Sequence, residues 1–175
     1  MRFALAHPER VASQILMDTA AESLGGIPEP VRKAGAKIAR EQGMETLHKL
    51  MRARAENDPS VPASMKRLAE TEGEAFYERT RRKMMAMDPE AFATLAAVLS
   101  EQEAVLGRLG QIRCRTTVIV GAEDLPFLEP SERMAKAVPG ARHVVIPDAA
   151  HSPQVENREA WLSAIRAHLV WARSA

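Results

Sequence analysis

The most restrictive feature of the sequence is a run of β-branched residues, TTVIV, at residues 116–120. The end of this run is apolar on both faces, which is typical of a parallel strand covered by helices on both sides. It is followed by a helical pattern at residues 130–138, a second strand pattern at residues 143–146 and a closing helix that Asn157 could cap. This alternation predicts an α/β fold with a parallel sheet and right-handed crossovers.

Two further patterns extend this prediction to both ends of the chain. In the closing helix, Trp161, Ile165 and Leu169 recur every four residues and are predicted to face the core. Near the N-terminus, residues 11–17 form an apolar run that suits a buried strand. A short helix before it should end at His7, because a residue that precedes proline is driven out of helical conformations. The sequence therefore predicts about three parallel strands with flanking helices.

The middle of the chain has almost no strand signal. Helical patterns there are separated by breakers at Gly25-Gly26, Pro28, Pro30, Asn57-Asp58-Pro59, Val61-Pro62 and Asp88-Pro89. Asp88 is predicted to cap a helix that has Pro89 at its first position. The chain is thus expected to consist of residues 1–19, a helix end and a strand; residues 20–110, a helical insertion; and residues 111–175, the main α/β part.

Composition and charge exclude several classes of protein. There are 24 Lys and Arg residues against 23 Asp and Glu residues, so no nucleic-acid partner is expected. No apolar stretch approaches the roughly 18 residues of a transmembrane helix, and the N-terminus lacks the apolar core of a signal peptide, so no membrane partner is expected. The single cysteine, Cys114, excludes an internal disulfide and is typical of a reducing cytoplasm, where we expect the protein to be located.

The sequence predicts neither a metal site nor a cofactor site. The five histidines are scattered, without the spacing that a zinc site shows. The glycine pair Gly25-Gly26 is followed by Ile-Pro, and not by the start of a helix, so it does not form a phosphate-binding loop.

Two residues are placed where reactive groups gather in an α/β sheet, beyond the carboxyl ends of parallel strands. Asp124 comes just after the strand at residues 116–120, and His151 comes in the loop after the strand at residues 143–146. A carboxylate that accepts a hydrogen bond from one imidazole nitrogen fixes the tautomer and leaves the other nitrogen free to act as a base. Taken alone, each residue also has a simpler interpretation, as a turn former or as an exposed loop residue.

The surrounding segments resemble the last blocks of α/β-hydrolases. These are VIVGAEDLPF, then PDAAHSPQVENREAW, and at the start of the chain FALAHPERVASQILMDT. The resemblance covers residues 2–19 and 112–169, in the order of that family, with a helical insertion where the family has its cap or lid. It implies a C-terminal part of an α/β-hydrolase fold, with Asp124 as the acid and His151 as the base of a Ser-His-Asp triad.

The chain departs from the family pattern at two places near this dyad. Many relatives have glycine before the histidine, and this chain has Ala150. Some family members take the acid from the end of the preceding strand, where this chain has Asp18. We favour Asp124, because GAED-x-P fits the usual acid turn more closely, and we expect Asp18 to cap the segment that follows it.

The triad's nucleophile is not found in the sequence. The family's serine lies in a G-x-S-x-G elbow at a sharp turn from strand to helix. None of the serines has glycine two residues before and two residues after it; they are Ser13, Ser23, Ser60, Ser64, Ser100, Ser131, Ser152, Ser163 and Ser174. The resemblance implies that the elbow lies upstream of Met1, which agrees with a first helix that has no capping residue. We therefore expect a fragment of a hydrolase that is inactive alone.

Three hypotheses remain from the sequence. The first is a hydrolase that acts on an ester, lactone, thioester or C–C bond of a small apolar substrate. Its partners would be the missing N-terminal half, or a second copy through the exposed edge of the strand at residues 11–17. The second is a non-catalytic binding or assembly module built from the same half-fold. The third, half of a nucleotide-binding domain, is disfavoured because the glycine fingerprint is absent.

Overall fold

The computed structural model describes residues 1–23, 29–59 and 61–174, so the predicted breakers Gly25-Gly26 and Pro28 lie outside the described residues. The strands are β1 (Ser13–Met17), β2 (Arg115–Gly121) and β3 (Arg142–Ile146). The helices are α1 (Arg2–Ala6), α2 (Glu29–Asn57), α3 (Ala63–Glu72), α4 (Glu74–Met85), α5 (Pro89–Glu101), α6 (Leu125–Ala137), α7 (Pro153–Glu156) and α8 (Arg158–Arg173). Short 3-10 helices span Pro8–Arg10 and Leu106–Gln111.

The chain divides into two compact units. The first consists of Met1–Glu22, Pro62–Met65 and Glu103–Ala175, and the second of Ser23–Val61 and Lys66–Gln102. The first unit contains the sheet and the second contains helices only, over the residues that the structure describes.

The first unit confirms the predicted parallel sheet. Its strands run in the order β1-β2-β3, and both pairs are parallel. Met17 of β1 lies opposite Ile119, and Gly121 of β2 lies opposite Ile146 of β3. Because all three strands run in the same direction, the residues that follow Met17, Gly121 and Ile146 emerge at one edge of the sheet. This edge holds every residue of the candidate site described below.

The central strand β2 is covered on both faces, as the apolar run at residues 116–120 predicted. Val118 and Ile119 are fully buried and, as neighbours in a strand, point to opposite faces. Val118 packs in a cluster with Leu109 and Met134, whereas Ile119 packs in a second cluster with Ala164 of α8 and other residues. The central strand is therefore apolar at residues 118–120, because neither of its faces meets water there.

Two of the predicted helix caps are confirmed. The Asp88 carboxylate accepts the backbone N–H of Ala91 at 2.9 Å, with α5 starting at the next residue, Pro89. The Asn157 side chain accepts the N–H of Ala160 at 3.3 Å at the start of α8. Each cap satisfies one of the backbone donors that the first turn of a helix leaves without a partner.

The predicted helix at residues 130–138 was too short at its N-terminal end. In the structure α6 begins at Leu125, and Pro130 lies inside it. Proline lacks the N–H of a helical hydrogen bond, so the sequence pattern favoured a start at Pro130. The helix instead begins directly at the acid turn, where the Asp124 carbonyl accepts the N–H groups of Phe127 and Leu128.

The apolar stripe predicted for α8 was wrong at its C-terminal end. Leu169 is 48% exposed, while the neighbouring His168 is 3% exposed. His168 is buried because its Nδ1 lies 2.8 Å from the Thr117 hydroxyl, which provides a hydrogen-bond partner inside the core. Burying a polar ring is favourable only with such a partner, and periodicity alone does not reveal one.

The second unit has its own small core. Ala39, Met44 and Leu47 of α2 are buried together, and Met84 and Phe92 pack against them. The long helix α2 is interrupted at Gly43, whose φ of 84° and ψ of 165° are not helical. Gly73, with a φ of 57°, separates the next two helices, α3 and α4. No helix of the described residues is long and apolar enough to cross a membrane.

Candidate active site

Asp124 lies in the turn that leads from β2 into α6. Its backbone N–H bonds the carbonyl of Gly121 at 3.1 Å, which closes the turn and makes Asp124 the N-cap residue of α6. The side chain does not cap the helix. It is turned toward the loop after β3 and, although it is a carboxylate, the residue is only 5% exposed.

His151 meets this carboxylate from the loop after β3. Its Nδ1 lies 2.8 Å from Oδ2 of Asp124, so the predicted proximity of the two residues is found. The His151 side chain is 56% exposed, and one side of its ring contacts Phe127, with ring centroids 4.7 Å apart. Because a carboxylate only accepts, Nδ1 carries a proton and Nε2 is the nitrogen that can take up another.

Backbone contacts hold the acid turn against the histidine loop. The Ala122 N–H bonds the carbonyl of Ile146, and the Glu123 N–H bonds that of Ala149, both at 2.8 Å. A Cβ atom on Gly121 would lie only 2.2 Å from the carbonyl oxygen of Ala150. Glycine is therefore required at position 121 by the close approach of another backbone.

The structure shows the surroundings of Ala150 and Asp18, the two departures from the family pattern. Ala150 is buried, and its backbone is not left-handed, so the loop accommodates a Cβ at this position. Asp18 follows β1 and has a left-handed φ of 43°. Its Oδ1 accepts the N–H of Gly121 at 3.3 Å, so its carboxylate binds the end of the neighbouring strand and not, as predicted, the segment that follows. Its other oxygen, Oδ2, is buried without a hydrogen-bond partner among the described residues.

Asp18 is not the hydrogen-bond partner of Nδ1 of His151, because Asp124 occupies that place. Nδ1 of His151 is bonded to Asp124, and Asp18 affects the ring only through its charge. In this arrangement Asp124 fixes the orientation of the His151 ring, and Asp18 is a third ionisable group beside the pair.

The charges around the dyad shift two pKa values upward. The hydrogen bond to the Asp124 carboxylate, reinforced by the charges of Asp18 and Glu156, raises the pKa of His151, although partial burial opposes this. Burial raises the pKa of Asp18 to about 6, with smaller contributions from the Asp124 and Glu156 charges, against the hydrogen bond from Gly121 and the His151 charge. The folded protein therefore keeps the Asp18 carboxyl protonated up to a higher pH than an exposed aspartate would be.

The position of Asp18 leads to a prediction about stability. A carboxyl whose pKa is raised on folding binds its proton more tightly in the folded state, so stability falls as pH rises from about 4 to about 6. Asp18→Asn removes this titration and keeps an oxygen for the Gly121 N–H. We expect the free energy of unfolding of the variant minus that of wild type to be about 1–2 kcal/mol larger at pH 8 than at pH 4, after allowance for solvent screening. Urea unfolding at the two pH values measures this difference.

Asp148→Asn is the matched control. Asp148 also has a left-handed φ, 51°, but it is exposed. The change in stability between pH 4 and pH 8 should be larger for Asp18→Asn than for Asp148→Asn. A pH-independent effect of Asp18→Asn would contradict the burial argument.

The site as described supplies an acid and a base. Among the described residues no hydroxyl group is hydrogen-bonded to Nε2 of His151, and no group of three His, Cys, Asp or Glu side chains is arranged to hold a metal ion. The geometry supports proton transfer at Nε2, with the imidazolium stabilised by Asp124.

Sequence reasoning missed Glu156, a third acidic residue at this site. It lies at the end of α7, and its carboxylate accepts backbone N–H groups on either side of His151. The available signal was Ser152-Pro153 followed by an acid in the first turn, a variant of the capping box with the acid one position later.

No protein-family model matches the chain, and no curated protein does. Solved structures do. The chain is similar to a thermophilic esterase from Thermogutta terrifontis, with 29% identity and a TM-score of 0.75 over 97% of the chain and 60% of the esterase. It is also similar to the enol-lactonase from Burkholderia xenovorans LB400, with 25% identity and a TM-score of 0.76 over 96% of the chain and 60% of the lactonase.

A third solved structure shares the fold at lower identity. It is MGS-M2, an α/β hydrolase from a Medee basin deep-sea metagenome library, with 14% identity and a TM-score of 0.68 over 96% of this chain and 59% of MGS-M2. The chain thus spans about 60% of the length of the proteins it matches. Because an esterase and a lactonase superimpose on nearly all of it, the chain belongs to the α/β-hydrolase superfamily.

Proposed function

We propose that Asp124 and His151 are the acid and the base of a Ser-His-Asp hydrolase whose serine comes from sequence outside these 175 residues. The observation that carries the proposal is the 2.8 Å hydrogen bond between a buried carboxylate and Nδ1 of an exposed histidine. The bond fixes the ring, and exposure leaves Nε2 open to a reacting hydroxyl.

In the complete enzyme, Nε2 of His151 removes the proton of the serine hydroxyl as the oxygen attacks the substrate carbonyl. The imidazolium then gives this proton to the leaving group as the acyl–oxygen bond breaks. In the second half, His151 takes a proton from water, the hydroxide attacks the acyl-enzyme, and the proton returns to the serine. Asp124 stabilises the imidazolium in both halves and stays ionised.

The nucleophile must come from elsewhere because no serine here lies in a G-x-S-x-G elbow. In α/β-hydrolases the elbow precedes the acid and the histidine along the chain. A segment carrying it would join this sheet at β1, whose second edge is unpaired among the described residues. That edge offers N–H and C=O groups to another strand, either of the missing segment or of a second copy.

The relatives and the helical insertion support the proposed substrate class. The two most similar structures named above are an esterase and an enol-lactonase, both of which cleave acyl–oxygen bonds. Residues 20–110 would form the cap over a small apolar substrate, such as an ester or lactone; a thioester or a C–C bond next to a carbonyl fits the same chemistry.

The test compares this chain with a form extended at its N-terminus by a segment that carries the serine elbow, for example from the Thermogutta terrifontis esterase. We expect no hydrolysis of p-nitrophenyl esters above the uncatalysed rate by the chain alone, because both nucleophile and oxyanion donors are absent; a single donor contributes about 2.7–4 kcal/mol to the barrier. The extended form should hydrolyse them. Size-exclusion chromatography should show self-association of the chain alone, relieved by the extension.

The extended form with its elbow serine changed to alanine is the control, and it should have the same elution volume but no activity. Ester turnover by a monomer of the unextended chain would show that another residue is the nucleophile. A folded extended form without activity would favour the alternative, a binding or assembly module in which the dyad does not act.

A further inference from the structure

The loop that carries His151 is anchored by a single carboxylate. Oε2 of Glu156 lies 2.5 Å from the backbone nitrogen of Ala150, and its Oε1 lies 3.0 Å from that of Ser152. These are the residues immediately before and after His151. One side chain thus satisfies both flanking N–H donors with charge-assisted hydrogen bonds, which are about twice as strong as neutral ones.

The other side of the same loop is fixed by the acid turn. The Ala149 carbonyl accepts the N–H of Glu123, and the Ala150 carbonyl lies against Gly121 with no room for a Cβ. Residues 149–152 are therefore held between the carboxylate of Glu156 and the turn that ends in Asp124. His151 is the one residue between the two amides that Glu156 binds, and its ring is half exposed. A half-exposed ring is in contact with few neighbours, so packing by itself would allow His151 several rotamers.

We propose that Glu156 is a positioning residue: by clamping the amides on both sides of His151, it holds Nδ1 toward Asp124 and Nε2 toward the reacting group. The inference rests on the proposed function of His151 as the base. Glu156 acts through the loop and does not touch the reacting atoms.

The groups that face the imidazole set the expected direction of its titration. The carboxylates of Asp124, Asp18 and Glu156 all raise the pKa of His151, partial burial lowers it, and the Phe127 ring packs against it. Removing the charge of Glu156 weakens this attraction directly. Loosening the loop weakens the hydrogen bond to Asp124 as well, so both effects lower the pKa of His151.

The experiment uses Glu156→Gln in the 175-residue chain. Hydrogen exchange at the imidazole C2 position, read by mass spectrometry as a function of pH, gives the pKa of each histidine and tolerates self-association. We expect a lower pKa for His151, because the side-chain amide cannot accept from both N–H groups. Amide hydrogen exchange at Ala150 and Ser152 should accelerate by about tenfold or more.

Glu159→Gln is the matched control, since Glu159 is exposed, lies only three residues further along the chain and undergoes the same loss of charge. It should leave the His151 titration and both amides unchanged. The buried His168 reports folding, because burial in the folded state lowers its pKa, with a smaller contribution from the Arg142 charge. An unchanged His151 titration and unchanged amide exchange in Glu156→Gln, with His168 also unchanged, would overturn the proposal.

Glu156→Asp covers the case in which Glu156→Gln does not fold. Aspartate keeps the charge but is one methylene shorter, so it cannot reach both amides. The clamp is supported if amide exchange at Ala150 and Ser152 is faster than in wild type and the pKa of His151 shifts less than the loss of the Glu156 charge would shift it. Wild-type exchange at both amides refutes it. Neither readout involves ester hydrolysis, so failure of the clamp and failure of the proposed hydrolase activity are distinguishable.

Discussion

Replacing His151 with alanine in the extended form is expected to lower kcat for ester hydrolysis by about 10⁶-fold, the loss typical of removing the base of a serine triad. Asp124→Asn should lower kcat by about 10⁴-fold, because the amide can donate to Nδ1 and so stabilise the wrong tautomer. Steady-state kinetics with p-nitrophenyl esters measure both losses.

His7→Ala is the control for these variants, because His7 is an exposed histidine of the same unit. It should retain wild-type kcat. Asp18→Asn separates the two candidate acids: it should leave kcat within a few fold of wild type if Asp124 is the acid. A loss near 10⁴-fold in Asp18→Asn, with activity kept in Asp124→Asn, would assign the acid to Asp18.

The largest expected effect on stability comes from Gly121→Ala. The added Cβ would lie 2.2 Å from the Ala150 oxygen and 2.4 Å from the Ala149 oxygen. Both are backbone atoms of the histidine loop, so the clash cannot be relieved by turning a side chain. We expect a loss of about 3 kcal/mol or more in the free energy of unfolding, at the upper end for an overpacked site. Urea denaturation should show a lower midpoint with an unchanged m value.

Gly107→Ala is the control, because a Cβ at Gly107 would have no heavy atom within 4 Å. It should change stability by no more than about 0.5 kcal/mol. Gly121→Ala should also reduce the activity of the extended form, since relief of the clash separates the acid turn from the histidine loop. Wild-type stability in Gly121→Ala would mean that the two loops are not in contact in solution.

The sequence determined the fold class and the placement of the dyad for the same physical reason. A run such as residues 116–120, apolar on both faces, is stable only between two helical layers, and parallel strands bring their following residues to one edge. Asp124 and His151 could therefore be predicted to meet at that edge, and the 2.8 Å hydrogen bond agrees with this. The helix starts at Asp88 and Asn157 were equally readable, because capping is a local interaction.

Only the tertiary structure decided the features that depend on contacts distant in sequence. Asp18 binds the Gly121 amide of another strand, and His168 is buried because Thr117 provides a partner across 51 residues. The requirement for glycine at position 121 arises from a carbonyl of the histidine loop. Periodicity and local propensity report how each residue interacts with residues close to it in sequence and with water. Hydrogen bonds and close contacts between separate strands and loops exist only once the sheet has brought them together.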